Sequence, residues 1–400
     1  MELDLLSWTS LAVRWLHFVA GIAWIGASFY FVWLDNSLRN PATPKDGVGG
    51  ELWAVHGGGF YHNEKFLVAP PELPKDLHWF KWEAYTTWLS GFALLIIVYY
   101  IGADVYLIDR SRLDVGQGGA ILIGLAALVA GWIIYDFLCK SPLGKNQAVF
   151  GAVWFSLLIA TTYALTHIFS DKGAFIHVGA IIGTAMVANV FFIIIPNQKK
   201  AVAAMIAGET PDPALGAAAK QRSVHNNYMT LPVLLIMISS HYPLLVSHKL
   251  NWLLLAGFAA SSILIRHFFN LKHKGSMQPA LAAAGAALFV VTMLVASIKP
   301  TSAQMETQAS DRISDNTALT ILERHCTNCH ATSPTHPGFS VAPAGLSLET
   351  LDMLRDKASL VKLQAVDSNI MPLGNETGMT DRERAQLGAW LAQQKDGTHE

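Results

Sequence analysis

The chain has 400 residues, of which 52% are hydrophobic and only 14% charged, with a mean hydropathy of +0.35. That composition is too apolar for one water-soluble globule and excludes disorder, and a net charge of −1 excludes bulk attraction to polyanions, so no nucleic-acid partner is expected. Three cysteines are too few for a disulfide scaffold.

Apolar stretches long enough to cross roughly 30 Å of hydrocarbon recur at 8–34, 86–107, 117–138, 148–168, 174–195, 230–246, 250–269 and 280–298. They predict an all-α, polytopic bundle of eight transmembrane helices over residues 1–299, the sixth span being short and interrupted by Pro232, His241 and Pro243. The first span has no basic segment before it and no small-residue cleavage site after it, so it reads as a retained helix. Lysine and arginine total thirteen in one alternate set of loops and five in the other. The positive-inside rule puts the first set in the cytoplasm and both termini outside.

The first connection, Asp35 to Glu83, is too long for a bare loop, and its Trp53, His56, Tyr61, His62, Lys65, His78 and Trp79 argue against disorder. Gly57 to Gly59 would serve either close backbone approach to a ligand or a simple turn. Gln221-Arg222 with His225-Asn-Asn227 lies before the sixth span, and Arg266-His267 lies near the inner end of the seventh. These groups suit anion and amide recognition, and a structural role suits each equally well. The candidate catalytic residues are therefore His56, His62, Lys65, Arg222, Arg266 and His267, while Cys139 stands alone and reads as inert.

Eleven histidines precede residue 313, although ionisable groups at membrane depth are costly and mark cofactors or pathways. Arg14, His17, Gly21, Trp24 and Ser28 follow one helical stripe, with Gly21 leaving room beside His17. His177-Val-Gly-Ala-Ile-Ile-Gly183 echoes His17-Phe-Val-Ala-Gly-Ile-Ala23, which suggests a tandem four-plus-four repeat. Two of His17, His167, His177 and His241 could hold a b-type haem, with Arg14 near a propionate. The competing reading is that these histidines bond between helices and bind nothing.

After Lys299-Pro300 a polar linker, 300–312, leads into a second domain, 313–400. Cys326-Thr-Asn-Cys329-His330 is the attachment signature of a c-type haem, in which two thiols bond the porphyrin and the histidine takes one axial position. A zinc site would need two further ligands, and only His325 and His336 lie near. Met371, in Ile370-Met-Pro-Leu-Gly-Asn375, is the expected second axial ligand, whereas Met353 and Met379 read as packing residues. Thr380 and Glu383 form a capping box ahead of a stripe of Ala385, Leu387, Trp390 and Leu391. These features predict a small all-α class I-type cytochrome c domain on the periplasmic side, the side that the loop charges assign to the C-terminus.

The segments Arg14-Trp-Leu-His17-Phe-Val-Ala-Gly-Ile-Ala-Trp-Ile-Gly26, Val55-His-Gly-Gly-Gly-Phe-Tyr61 and Leu77-His-Trp-Phe-Lys-Trp-Glu-Ala84, fused to a cytochrome c, resemble the bacterial membrane-bound urate oxidase (urate hydroxylase) family. The resemblance spans the chain. It implies oxidation of urate with water to 5-hydroxyisourate, without hydrogen peroxide, in an inner membrane, with electrons leaving through haem c to a soluble cytochrome c or terminal oxidase. The alternatives are a membrane dehydrogenase for another small reductant or a quinol, and a non-catalytic electron-transfer subunit. If urate bound at the cytoplasmic loops, roughly 30 Å of bilayer would separate it from haem c, which requires a second redox group or a substrate site near the outer face.

Overall fold

The computed structural model describes residues 5–298, 313–368 and 370–396, so the expected linker at 300–312 lies outside the described residues. Helix α1 (Leu5–Ser37) leads into an antiparallel hairpin, β1 (Val48–His56) and β2 (Gly59–Phe66). Then come α2 (Trp82–Leu94), a π-helical turn (Leu95–Tyr100) and α3 (Ala103–Tyr106). Helices α4 (Gln117–Lys140), α5 (Gln147–Thr166) and α6 (Asp171–Ala188) follow, and a second π-helical turn (Asn189–Ile194) joins α6 to α7 (Ile195–Ile206). The bundle is completed by α8 (Pro213–Ser239), α9 (Pro243–Val246), α10 (Asn251–His273) and α11 (Pro279–Ser297).

Six of these segments are long and apolar enough to cross a membrane: α1, α4, α5, the continuous 171–206 rod, α10 and α11. The chain is thus mostly helical, as a multi-pass membrane protein would be. The second and sixth expected spans are also helical, yet neither qualifies by length and composition. The π turn and Gly102 divide 82–106, and α8 begins at Pro213, well ahead of the apolar run, with a polar first half that includes Lys220 and Arg222. His241 falls in the turn beyond α8.

The hairpin departs from the all-α expectation. Gly57 and Gly58 both have positive φ, +57° and +79°, the backbone of a two-residue hairpin turn that disfavours side chains. Of the two readings of these glycines, the turn is the one observed. Trp53 stacks on His62 across the strands at 4.3 Å, and His62 pairs with Glu51 at 2.9 Å. Asp35 at the end of α1 binds both Lys65 of β2 and Lys220 of α8, which ties the hairpin over one end of the bundle.

The turns after α3, α5 and α9 meet at the other end. Ser170 donates to the Tyr106 carbonyl at 2.6 Å, Arg112 donates to the Phe169 carbonyl at 3.0 Å and pairs with Asp171 at 2.8 Å, and Asn251 donates to Asp171 at 2.9 Å. Between the ends, α6 is the most enclosed helix, with Phe175, Ile181 and Met186 almost wholly buried.

The C-terminal region has its own core, built from α12 (Asp315–His325), α13 (Leu351–Asp356), α14 (Ala358–Val361) and α15 (Asp381–Asp396) around Leu322, Leu354, Leu387 and Trp390. Trp390 is fully buried and donates its indole N–H to Asp315 at 2.8 Å. The capping box forms as expected: the Glu383 amide donates to the Thr380 hydroxyl at 3.2 Å and the Thr380 amide to the Glu383 carboxylate at 2.8 Å. Burial acts against the Glu383 charge, but the Thr380 amide and hydroxyl and His325 outweigh it and hold the carboxyl down to about 2, from an ordinary 4.5. A lowered folded-state value means stability that is present above pH 4.5 and is lost as pH falls towards 2. Glu383→Gln should therefore flatten the acid side of the domain's stability profile, measured by thermal melting between pH 6 and 3, and lower its stability at pH 7.

Candidate functional site

At the hairpin end, α1, β2, α7, α8 and α10 enclose a cleft of 990 Å³. Its lining includes Trp24, Ser28, Lys65, His78, Tyr228, His267 and Asn270. The residues behind it come from one stretch of α8. Arg222, 3% exposed, pairs with Asp136 of α4 at 2.8 Å and donates to Asn189 at 3.2 Å. The Asn189 amide in turn donates to the Tyr135 hydroxyl at 2.9 Å and to Asn226 at 2.8 Å. His225 bonds the Tyr135 hydroxyl through Nδ1 at 2.9 Å and stacks on Phe150 at 4.3 Å. Cys139, read as inert, sits 3.7 Å from that nitrogen and belongs to this network. Asn227 faces the other way, towards Ser28 of α1 and Arg266 and Asn270 of α10. Tyr228 bonds His267 Nδ1 at 2.6 Å.

The candidate residues therefore separate. His56 is exposed at the hairpin turn, His62 is occupied by Glu51 and Trp53, and Lys65 lines the cleft but is paired with Asp35. Arg222 has its counter-ion. His267 lines the cleft, and Arg266 lies directly behind it. Sequence reasoning did not single out Asn189, Tyr135 or Asn270, because isolated amides and a tyrosine in apolar helices carry no signal until packing brings them together.

The four histidines proposed for a buried cofactor have different surroundings. His17 of α1 bonds the Thr87 carbonyl and Ser90 hydroxyl of α2 through Nδ1, at 2.9 and 3.1 Å. His177 is fully buried, bonding the Gly173 carbonyl at 2.8 Å and the Tyr100 hydroxyl at 3.3 Å. His167 bonds the Tyr163 carbonyl in its own helix at 2.7 Å and is exposed, as is His241. Arg14 bonds Ser10 at 3.2 Å. Both echoing histidines nevertheless rest on a glycine of a neighbouring helix: a Cβ on Gly91 would lie 2.8 Å from the His17 ring, and one on Gly124 would lie 2.5 Å from His177. Gly21, by contrast, leaves its Cβ position open to 4.0 Å. Gly91→Ala should push His17 off α2 and cost about 1–3 kcal/mol, read as a lower thermal midpoint in detergent.

At the opposite end, the C-terminal core presents Cys326 at the end of α12, followed by a turn in which the Cys329 and His330 amides donate to the Cys326 carbonyl at 3.2 and 2.8 Å. His330 bonds the Leu346 carbonyl through Nδ1 at 2.9 Å, which fixes the ring and leaves Nε2 without a hydrogen-bond partner among the described residues. Cys326 and Met371 pack against the same core. The Met371 carbonyl accepts from Arg384 at 2.6 Å, and the Met371 amide donates to the Gln364 carbonyl at 2.9 Å, so the loop is held from both sides. Two thiols, one oriented imidazole and one thioether are a donor set that could hold a covalently attached iron porphyrin. The same loop seats this region on the bundle: a Cβ on Gly374, whose φ is +57°, would lie 2.7 Å from the Ile108 carbonyl. Only glycine permits that approach.

A bundle of apolar helices, of the kind that crosses a membrane, thus carries a cleft at one end and is joined to a region with a Cys-x-x-Cys-His turn at the other. Residues 4–297 match the family model described as urate oxidase N-terminal, and the chain belongs to that family. No curated protein and no solved structure matches the chain.

Proposed function

We propose that this protein oxidises urate with water to 5-hydroxyisourate, releasing two electrons and two protons, and passes the electrons through a haem c to a soluble cytochrome c or a terminal oxidase. The family match over the membrane region carries the substrate assignment. The electron route rests on the donor set of Cys326, Cys329, His330 and Met371, which would hold the haem, a carrier of one electron at a time. His267, with Nδ1 engaged by Tyr228 and Nε2 remaining, is the base on the cleft for a proton of urate or of the attacking water. The Leu346 carbonyl orients His330, and Arg384 holds the Met371 loop.

We further propose that 82–106 and α8 complete an eight-span bundle in a bacterial inner membrane. The thirteen lysines and arginines of the hairpin-end loops would then be cytoplasmic, with the N-terminus and the cytochrome c domain periplasmic.

This arrangement separates substrate from haem c. Measured from the His17 contact, Ser28 lies eleven residues along α1, about 16 Å, and Asp104 lies fourteen residues along 82–106, about 21 Å, in the opposite direction. An intermediate carrier is needed. His17 bonds Thr87 and Ser90 while His177 bonds Gly173 and Tyr100, and these separate partners favour a carrier held by His17 over one shared between the two. A b-type haem would take His17 through Nε2, which has no hydrogen-bond partner among the described residues, and His17 lies between the two ends. A pyridine haemochrome assay on the active protein should show b-type beside c-type haem, with His17→Ala losing only the former; c-type haem alone would exclude this carrier.

The whole reading is tested by an anaerobic visible spectrum before and after urate, with xanthine as control. Urate alone should reduce the c-type α band, and Met371→Ala should lose the methionine-ligated spectrum while leaving the membrane region folded. Reduction by a quinol or by dithionite but not by urate would favour the dehydrogenase or relay alternatives.

A further inference from the structure

Two buried arginines come from neighbouring helices, and only one is electrically satisfied. Arg222 has Asp136. Arg266 is 6% exposed and makes no ion pair among the described residues. Its Nε donates to Asn227 Oδ1 at 2.8 Å and its guanidinium lies 3.9 Å from the Phe29 ring centroid, but its buried Nη2 has no partner. The Asn270 amide nitrogen donates to the same Asn227 oxygen at 3.2 Å, and the Asn270 Oδ1 is buried without a partner. Asn227 itself is fully buried and is held by Ser28. One polar corner therefore holds an uncompensated cation, an unused N–H donor and an unused carbonyl acceptor, both atoms buried directly behind the Ser28, Tyr228, His267 and Asn270 side chains that line the cleft. A buried charge without a counter-charge is strongly destabilising, and buried polar groups are otherwise paired.

The missing partner must supply negative charge, an oxygen for the guanidinium and an N–H for the asparagine, from a body that fits the cleft beside Trp24, Ser28 and His267. A planar heterocyclic anion with carbonyl and ring N–H groups along one edge meets these requirements. We infer that Arg266 and Asn270 bind the urate anion by such an edge, with Asn227 as the positioning residue that fixes both and His267 beside the reacting face. This inference rests on the urate reading for the identity of the anion. It places the substrate at the hairpin end of the bundle.

The test uses the full-length chain in detergent, with two separate readouts: equilibrium dialysis of radiolabelled urate, and urate-dependent reduction of the haem. Asn270→Asp puts a carboxylate beside the free guanidinium. The expected result is a thermal midpoint equal to or above that of the wild type, with urate affinity and KM weakened at least tenfold. Arg266→Gln should weaken binding further, and Arg266→Lys should restore part of it. A folded Asn270→Asp protein that binds urate within twofold of the wild type would overturn the inference. Wild-type chain that binds urate through these residues without haem reduction would leave the site standing and sink the oxidase reading; wild-type chain that does not bind urate would sink both.

Discussion

In hydrocarbon a polar side chain must find its partner inside the protein, and the hairpin end of this bundle is arranged around that demand at one short stretch of α8. From Arg222 to Tyr228 successive side chains point to different neighbours: Arg222 and His225 to α4, Asn226 to α6 and the π turn after it, Asn227 to α1 and α10, and Tyr228 to α10. Because these bonds are directional, they fix the rotation of four helices about their axes, which greasy contacts alone would leave adjustable. The π turn at Asn189 contributes by rotating that amide into contact with Tyr135, Arg222 and Asn226 at once.

This network divides into a half whose charges are paired, though His225 Nε2 is buried there without a partner, and a half whose charge is not. On the α4 side the charges balance and the amides are bonded, so Arg222, Asp136 and Tyr135 act as a brace. On the α10 side Arg266 and Asn270 retain unused capacity just behind the lining of the cleft. The braced half holds α8 in place, and that fixed α8 presents Asn227 to the other half, so rigidity on one face pre-organises polarity on the other. The hairpin completes the enclosure, with Asp35 binding a lysine from each side of the cleft.

The opposite end follows a different logic. There the C-terminal core packs on its own, and its docking onto the bundle depends on close approach of the Gly374 backbone to the 104–108 carbonyls, immediately beside the Met371 loop. The cleft proposed for the substrate and the proposed haem would thus occupy opposite ends of the same helices, and His17, held against α2 by Gly91, lies between them.

Much of this was legible in the amino-acid order. Apolar runs gave the helices, the capping box gave the start of α15, and the spacing of Cys326, Cys329 and His330 gave the turn that gathers them, because each depends on residues near one another in the chain. The hairpin was missed because its paired strands carry charges and aromatics without clean alternation, and the start of α8 was missed because its polar side chains, satisfied by other helices, lower its hydropathy. Which histidines meet, which arginine has a counter-ion and which asparagine lines the cleft were decided only by tertiary structure. These are contacts between residues tens to hundreds of positions apart, and their energies depend on helix rotation and depth that no local pattern encodes.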